Sequence, residues 1–114
     1  MRIVNTTRDT ILAERAWRAV TLRERMKGLL GKDKLEEGRA LLISPCTSIH
    51  SFFMRFRFDA AFVDPDGVVL HMIHSMKKWR MSKWVARARG VIEFPAGVLE
   101  RSGTQRGDKL KFEE

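Results

Sequence analysis

Between two apolar runs, Ala60 to Val63 and Val68 to Ile73, the chain reads Asp64-Pro65-Asp66-Gly67. Aspartate opens such a turn by accepting backbone hydrogen bonds, proline presets φ, and glycine takes positive φ without steric cost, so the four residues fit a type I turn. The two runs are therefore expected to pair as an antiparallel hairpin. The turn closes a longer stretch, Pro45 to Gly67, which holds the single cysteine, the first of three histidines and five of the seven phenylalanines.

Other segments extend this β reading. Arg2 to Asn5 and Ile11 to Trp17 are predicted strands joined by the polar Thr6-Thr7-Arg8-Asp9 connection. Thr21 and Glu24 form a capping box. Leu22, Met26, Leu29 and Leu30 follow on one helical stripe, predicting a helix over Thr21 to Leu30 that Gly31 ends. Gly28 inside that stripe fits a close approach by another backbone, unless the helix stops one turn early. Arg39 to Ser44 is an apolar strand stopped by Pro45. From Ile49 to Asp64 the alternation of Phe52, Met54, Phe56 and Phe58 with Phe53, Arg55, Arg57 and Asp59 predicts extended chain, with a turn near Arg57. His74 to Arg89 has no period and is expected to be loop, Val91 to Phe94 is a strand closed by Pro95-Ala96-Gly97, and Asp108 to Phe112 is a final strand. The expected fold is mainly β: a small antiparallel β-barrel or sandwich of about seven strands with one short helix, in a single domain over residues 1–114.

Composition limits the partners. No run of about 18 apolar residues exists, and the opening MRIVNTTRDT lacks a charged-then-apolar layout, so no membrane association and a cytoplasmic location are expected. A lone cysteine closes no internal disulfide. The formal net charge is +8, and Lys77, Lys78, Arg80, Lys83, Arg87 and Arg89 are interleaved with Trp79 and Trp84 without one acid. Cations with aromatic faces grip single-stranded nucleic acid in some small β-barrels, so residues 77–89 are a candidate for that function, although the aromatic RNA-binding strand motifs are missing.

Two further constellations invite chemistry. Cys46 and His50 would be a nucleophile or ligand pair only if the chain turns between them, since four residues of straight strand cover about 13 Å. Two ligands make no zinc site, and His71 and His74 lie on opposite faces of a strand, so neither metal nor cofactor is expected. Asp59 precedes the apolar Ala60-Ala61-Phe62-Val63 and needs a partner if buried, for which Arg55, Arg57 or His50 are at hand. It is then either a structural strut or an orienter of His50 or an arginine toward a pocket.

RERMKGLLGK, PCTSIHSFFMRF, FDAAFVDPDGVV, the later Trp79-Arg80, VIEFPAGVLERSG and RGDKLKF occur in this order, and together they resemble the family catalogued as domain of unknown function 192 over nearly the whole chain. The resemblance implies a compact, β-rich fold and no assigned activity. The family's central polar positions fall on Cys46, Ser48, His50, Met54, Arg55 and Asp59, with Trp79 and Arg80 following and Pro95, Gly97, Gly107 and Asp108 as turn formers. Leu30 replaces a usual methionine and Arg57 a common proline.

Residues and resemblance together lead to a non-enzymatic binding module for a small polar or anionic ligand or a peptide, lined by His50, Arg55, Asp59, Trp79 and Arg80. The rivals are an enzyme using Cys46 and His50, and single-stranded nucleic-acid binding through residues 77–89.

Overall fold

A computed structural model describes residues 1–114, with eight strands and two short helices. The strands are β1 (Arg2–Asn5), β2 (Thr10–Ala13), β3 (Arg15–Ala19), β4 (Arg39–Ile43), β5 (Phe58–Val63), β6 (Val69–Ile73), β7 (Gly90–Pro95) and β8 (Leu110–Glu113). The helices are α1 (Leu22–Lys27) and α2 (Val98–Arg101). A three-stranded sheet in the order β2-β1-β8 faces a five-stranded sheet in the order β3-β4-β7-β5-β6. The arrangement is an open sandwich rather than a closed barrel.

The Asp64 turn forms as its chemistry dictates: the Asp66 and Val68 amides donate to Asp64 Oδ1, each at 2.9 Å, and β5 pairs antiparallel with β6. The expected strand from Ile11 to Trp17 is instead two, and they belong to different sheets. Buried Leu12 and Ala13 are followed by exposed Glu14 and Arg15, so the period of two slips by one residue there. At that slip the chain leaves β1 and joins β4.

β3 and β4 run parallel, the one parallel pair in an otherwise antiparallel fold. A parallel neighbour requires a crossover, and α1 with the link that follows it supplies one. The helix is shorter than its stripe. The capping box forms at Thr21 and Glu24, but Gly28 is the C-cap at φ 50°, so the helix stops a turn before Gly31. No α1 side chain is buried, and Leu22 and Met26 are exposed. The close approach at Gly28 comes from side chains rather than a backbone: a Cβ there would stand 3.7 Å from Ile43 Cδ1 and 3.8 Å from Glu93 Oε1.

Residues 49–57 depart furthest from the extended reading. Phe53 adopts φ 64° and points to solvent, Met54 turns inward, and regular strand begins only at Phe58, directly after Arg57. The chain from 74 to 89 is loop, tied to the 47–51 segment by backbone bonds such as Ser51 N to Arg80 O and Val85 N to Thr47 O.

The five-stranded sheet is buried on both faces. One face packs on the small sheet and α2 through Leu42, Ala61, Val63, Ile92, Phe94 and Leu99. The other, bearing Leu41, Ile43, Phe58, Ala60, Phe62 and Val91, is covered by Leu29, Ile49, Met54 and Met76 from the crossover and the loops. Strand β7 lies at the centre, and its alternation puts Ile92 and Phe94 on the first face and Val91 and Glu93 on the second.

Candidate functional site beneath the crossover helix

Two carboxylates lie inside this sheet one register step apart: Asp59 on β5 pairs with Phe94, and Ala60 pairs with Glu93 on β7. Asp59 faces α2 and is completely buried. Its Oδ1 accepts the Ser75 amide at 2.7 Å, and its Oδ2 accepts the Gly97 and Leu99 amides at 3.0 Å each. The expectation that Arg55, Arg57 or His50 would satisfy Asp59 is corrected here. Three backbone amides reach it first, because the end of β6 and the first turn of α2 converge on its side of β5. The carboxylate joins three pieces of chain and has no surface open to a ligand.

Glu93 faces the opposite way, toward the crossover, among Leu41, Ala60 and Ile43. It is only 4% exposed, and its Oε1 has no hydrogen-bond partner. Burial pushes its carboxyl up to about 8, so at neutral pH the group is an acid that can donate as well as accept. Beside it is a cavity of about 220 Å³, roofed by Gly28 and the end of α1 and walled by Leu29, Ile43, Ile49 and Met54. Arg25 reaches into the same space: its Nη1 donates to the Pro45 carbonyl at 3.1 Å, while its buried Nε has no partner. Arg25 Nε and Glu93 Oε1 are the two buried side-chain polar atoms in the protein left unpartnered, and both residues line this one cavity.

Cys46, Ser48 and His50 form another side of the cavity, so the chain does turn between the cysteine and the histidine. The turn does not make a nucleophile. Cys46 Sγ donates to the Ser48 carbonyl at 3.2 Å, and burial raises the thiol pKa against the smaller opposing effect of that hydrogen bond. An activated cysteine requires the opposite shift. His50 Nδ1 accepts the Phe52 amide at 3.2 Å, and its ring stacks on Phe52.

Of the five residues expected to line one pocket, His50 alone borders this cavity. Arg55 is exposed and pairs with Asp33 at 2.7 Å. Trp79 and Arg80 lie outside, on the loop that runs beside His50 and Ser51. Glu93 and Arg25 were not singled out in the sequence, although Glu93 carries the same signature as Asp59, a lone acid in the apolar run Val91-Ile92-Glu93-Phe94. A larger groove of about 520 Å³ beside β2 and α2 is a weaker candidate, because its Arg101 and Glu37 hold each other at 3.0 Å.

Comparison with known proteins agrees with this fold. Residues 3–112 match the profile of DUF192, described as "Uncharacterized ACR". A UPF0127 protein of Pyrococcus horikoshii is 40% identical over 65 residues, a match covering 57% of this chain and 56% of that protein. A UPF0127 protein of Thermococcus sibiricus is 26% identical over 97% of this chain and 74% of its own length. A crystal structure of a Novosphingobium aromaticivorans protein of unknown function superposes with a TM-score of 0.83 at 20% identity, covering 97% of this chain and 82% of that one, a likeness of fold. The profile match spans both sheets, the crossover and the cavity, and the chain belongs to the DUF192 family.

Proposed function

We propose that the protein is a binding module for a short organic carboxylate, held beneath α1 by Arg25 and Glu93. One observation carries the reading: the only two unpartnered buried polar side-chain atoms border the same cavity. Leaving each bare costs roughly 1–3 kcal/mol, a cost that a bound partner removes. Arg25 Nε–H is a donor only, and a protonated Glu93 offers a second O–H donor. A ligand meeting both presents two acceptor oxygens, as a carboxylate does. Leu29, Ile43 and Met54 suit a short hydrocarbon tail, and about 220 Å³ is the share of roughly seven waters, which limits the ligand to a small one. The net charge of +8 favours the approach of anions.

The test is a titration of nitrogen-15-labelled protein with straight-chain carboxylates from acetate to hexanoate, with butylammonium as the opposite charge. Carboxylate is expected to shift the amides of Gly28, Cys46 and Glu93, with nearly constant affinity from about pH 6, where the ligand is ionised, to about 8, and roughly tenfold loss per pH unit above it as Glu93 ionises. No shift at the cavity with any carboxylate would overturn the reading. Binding of butylammonium that strengthens toward pH 8 would replace it with a cation site on ionised Glu93.

A further inference from the structure

Far along the same loops, four large apolar side chains stand in solvent: Phe53 is 72% exposed, Trp79 56%, Met81 69% and Trp84 71%. Phe53, Trp79 and Met81 are not scattered singly. The 49–53 and 79–82 segments lie side by side, with His50 bridged to Met81, Ser51 N donating to Arg80 O and Ser82 N donating to Ile49 O. Phe53 meets the Trp79 ring edge-on at 4.8 Å, and Phe52 lies between His50 and Trp79. Phe53 and Trp79 both adopt left-handed backbone, at φ 64° and 61°. Bulky residues seldom adopt that conformation, and it costs about 1 kcal/mol or more each. The backbone is thus held against its preference while two rings face water.

The loop that carries Trp79 and Met81 at this tip has charge of one sign. No acid occurs between Asp66 and Glu93, and Lys77, Lys78, Arg80 and Lys83 are exposed and take part in no ion pair. We propose that this tip docks on the surface of an anionic lipid bilayer, with Phe53, Trp79 and Met81 entering the headgroup region and the lysines meeting lipid phosphates. Tryptophan and phenylalanine are suited to that boundary, and a lysine stem lies along apolar surface while its ammonium stays at the phosphates. The sequence argued against membrane association because it has no run of about 18 apolar residues, a length that spanning needs and surface contact does not. Two loops held side by side present exposed apolar side chains and exposed cations together. A nucleic-acid strand fits less well. Bases need free ring faces in a row, whereas Phe53 meets Trp79 edge-on, Phe52 stacks on His50, and Met81, bridged to His50, has no ring face to stack.

Flotation with lipid vesicles tests this, using neutral phosphatidylcholine and the same lipid mixed with phosphatidylglycerol, beside a titration with a short oligothymidine. The protein is expected to float with the anionic vesicles only. Lys77→Ala with Lys78→Ala should weaken that binding by roughly 30-fold. Phe53→Ser with Met81→Ser should abolish the binding that persists in high salt. All four side chains are exposed, and an unchanged NMR spectrum elsewhere would confirm that the variants fold. Failure to float with anionic vesicles, or flotation that ignores both variants, would overturn the proposal. Preference for the oligothymidine through the same residues would overturn it in favour of single strands.

Discussion

Asp59 and Glu93 sit on neighbouring strands, one residue apart in register and on opposite faces of one sheet, and both are buried. On the α2 side the chain converges on Asp59 with three amides. On the α1 side it stops short of Glu93, because Gly28 ends the helix without a side chain and leaves a cavity where a partner would be. Burial alone therefore does not separate a structural carboxylate from a functional one. Whether the protein itself satisfies the group does.

The comparison makes opposite demands on the two sites. Asp59→Ala, which strands one buried and two half-buried amides, is expected to lose about 3–5 kcal/mol in urea unfolding, and Asp59→Asn less, since it keeps one acceptor oxygen. A loss under about 1 kcal/mol would break the contrast from the Asp59 side. The next effect is in pH. Glu93 holds its proton in the native state up to about 8, whereas the unfolded chain releases it near 4.5. Its contribution is therefore fully present below pH 4.5 and is lost as pH rises to about 8, a fall of a few kcal/mol that Glu93→Gln should remove. Denaturation midpoints of both proteins across that range would show it. Smallest is Arg55→Ala: its pair with Asp33 is exposed, so stability should change by less than about 0.5 kcal/mol and carboxylate binding not at all. Loss of binding in that variant would return Arg55 to the site.

Most of the sandwich was legible where the deciding chemistry is local. The Asp64-to-Gly67 turn and the Thr21–Glu24 capping box form because each satisfies its own backbone within a few residues. The helix length was not legible, because Leu29 and Leu30 continue the apolar stripe beyond the residue where the backbone turns, and the stripe does not record that Leu22 and Met26 stay in water. The alternation around Phe52 to Phe56 read as strand, yet Phe53 faces solvent in left-handed backbone, since the neighbouring loop at Trp79 rather than a sheet pairs with it. The candidate site was half visible. Cys46 and His50 do border the cavity, but its two unpartnered groups, Arg25 and Glu93, are 68 positions apart and meet only through the crossover. A lone acid in an apolar strand was the available signal, and it marked Asp59 and Glu93 equally. Only the amides around Asp59, set by distant turns, tell them apart.

The most direct test is Glu93→Met, which fills the same space without a polar atom, measured by urea unfolding at neutral pH alongside butyrate titration. If Glu93 serves a ligand rather than the fold, the variant is more stable than wild type by roughly 1–3 kcal/mol and no longer binds butyrate. A variant destabilised as Asp59→Ala is, or one that binds butyrate as wild type does, would contradict the account.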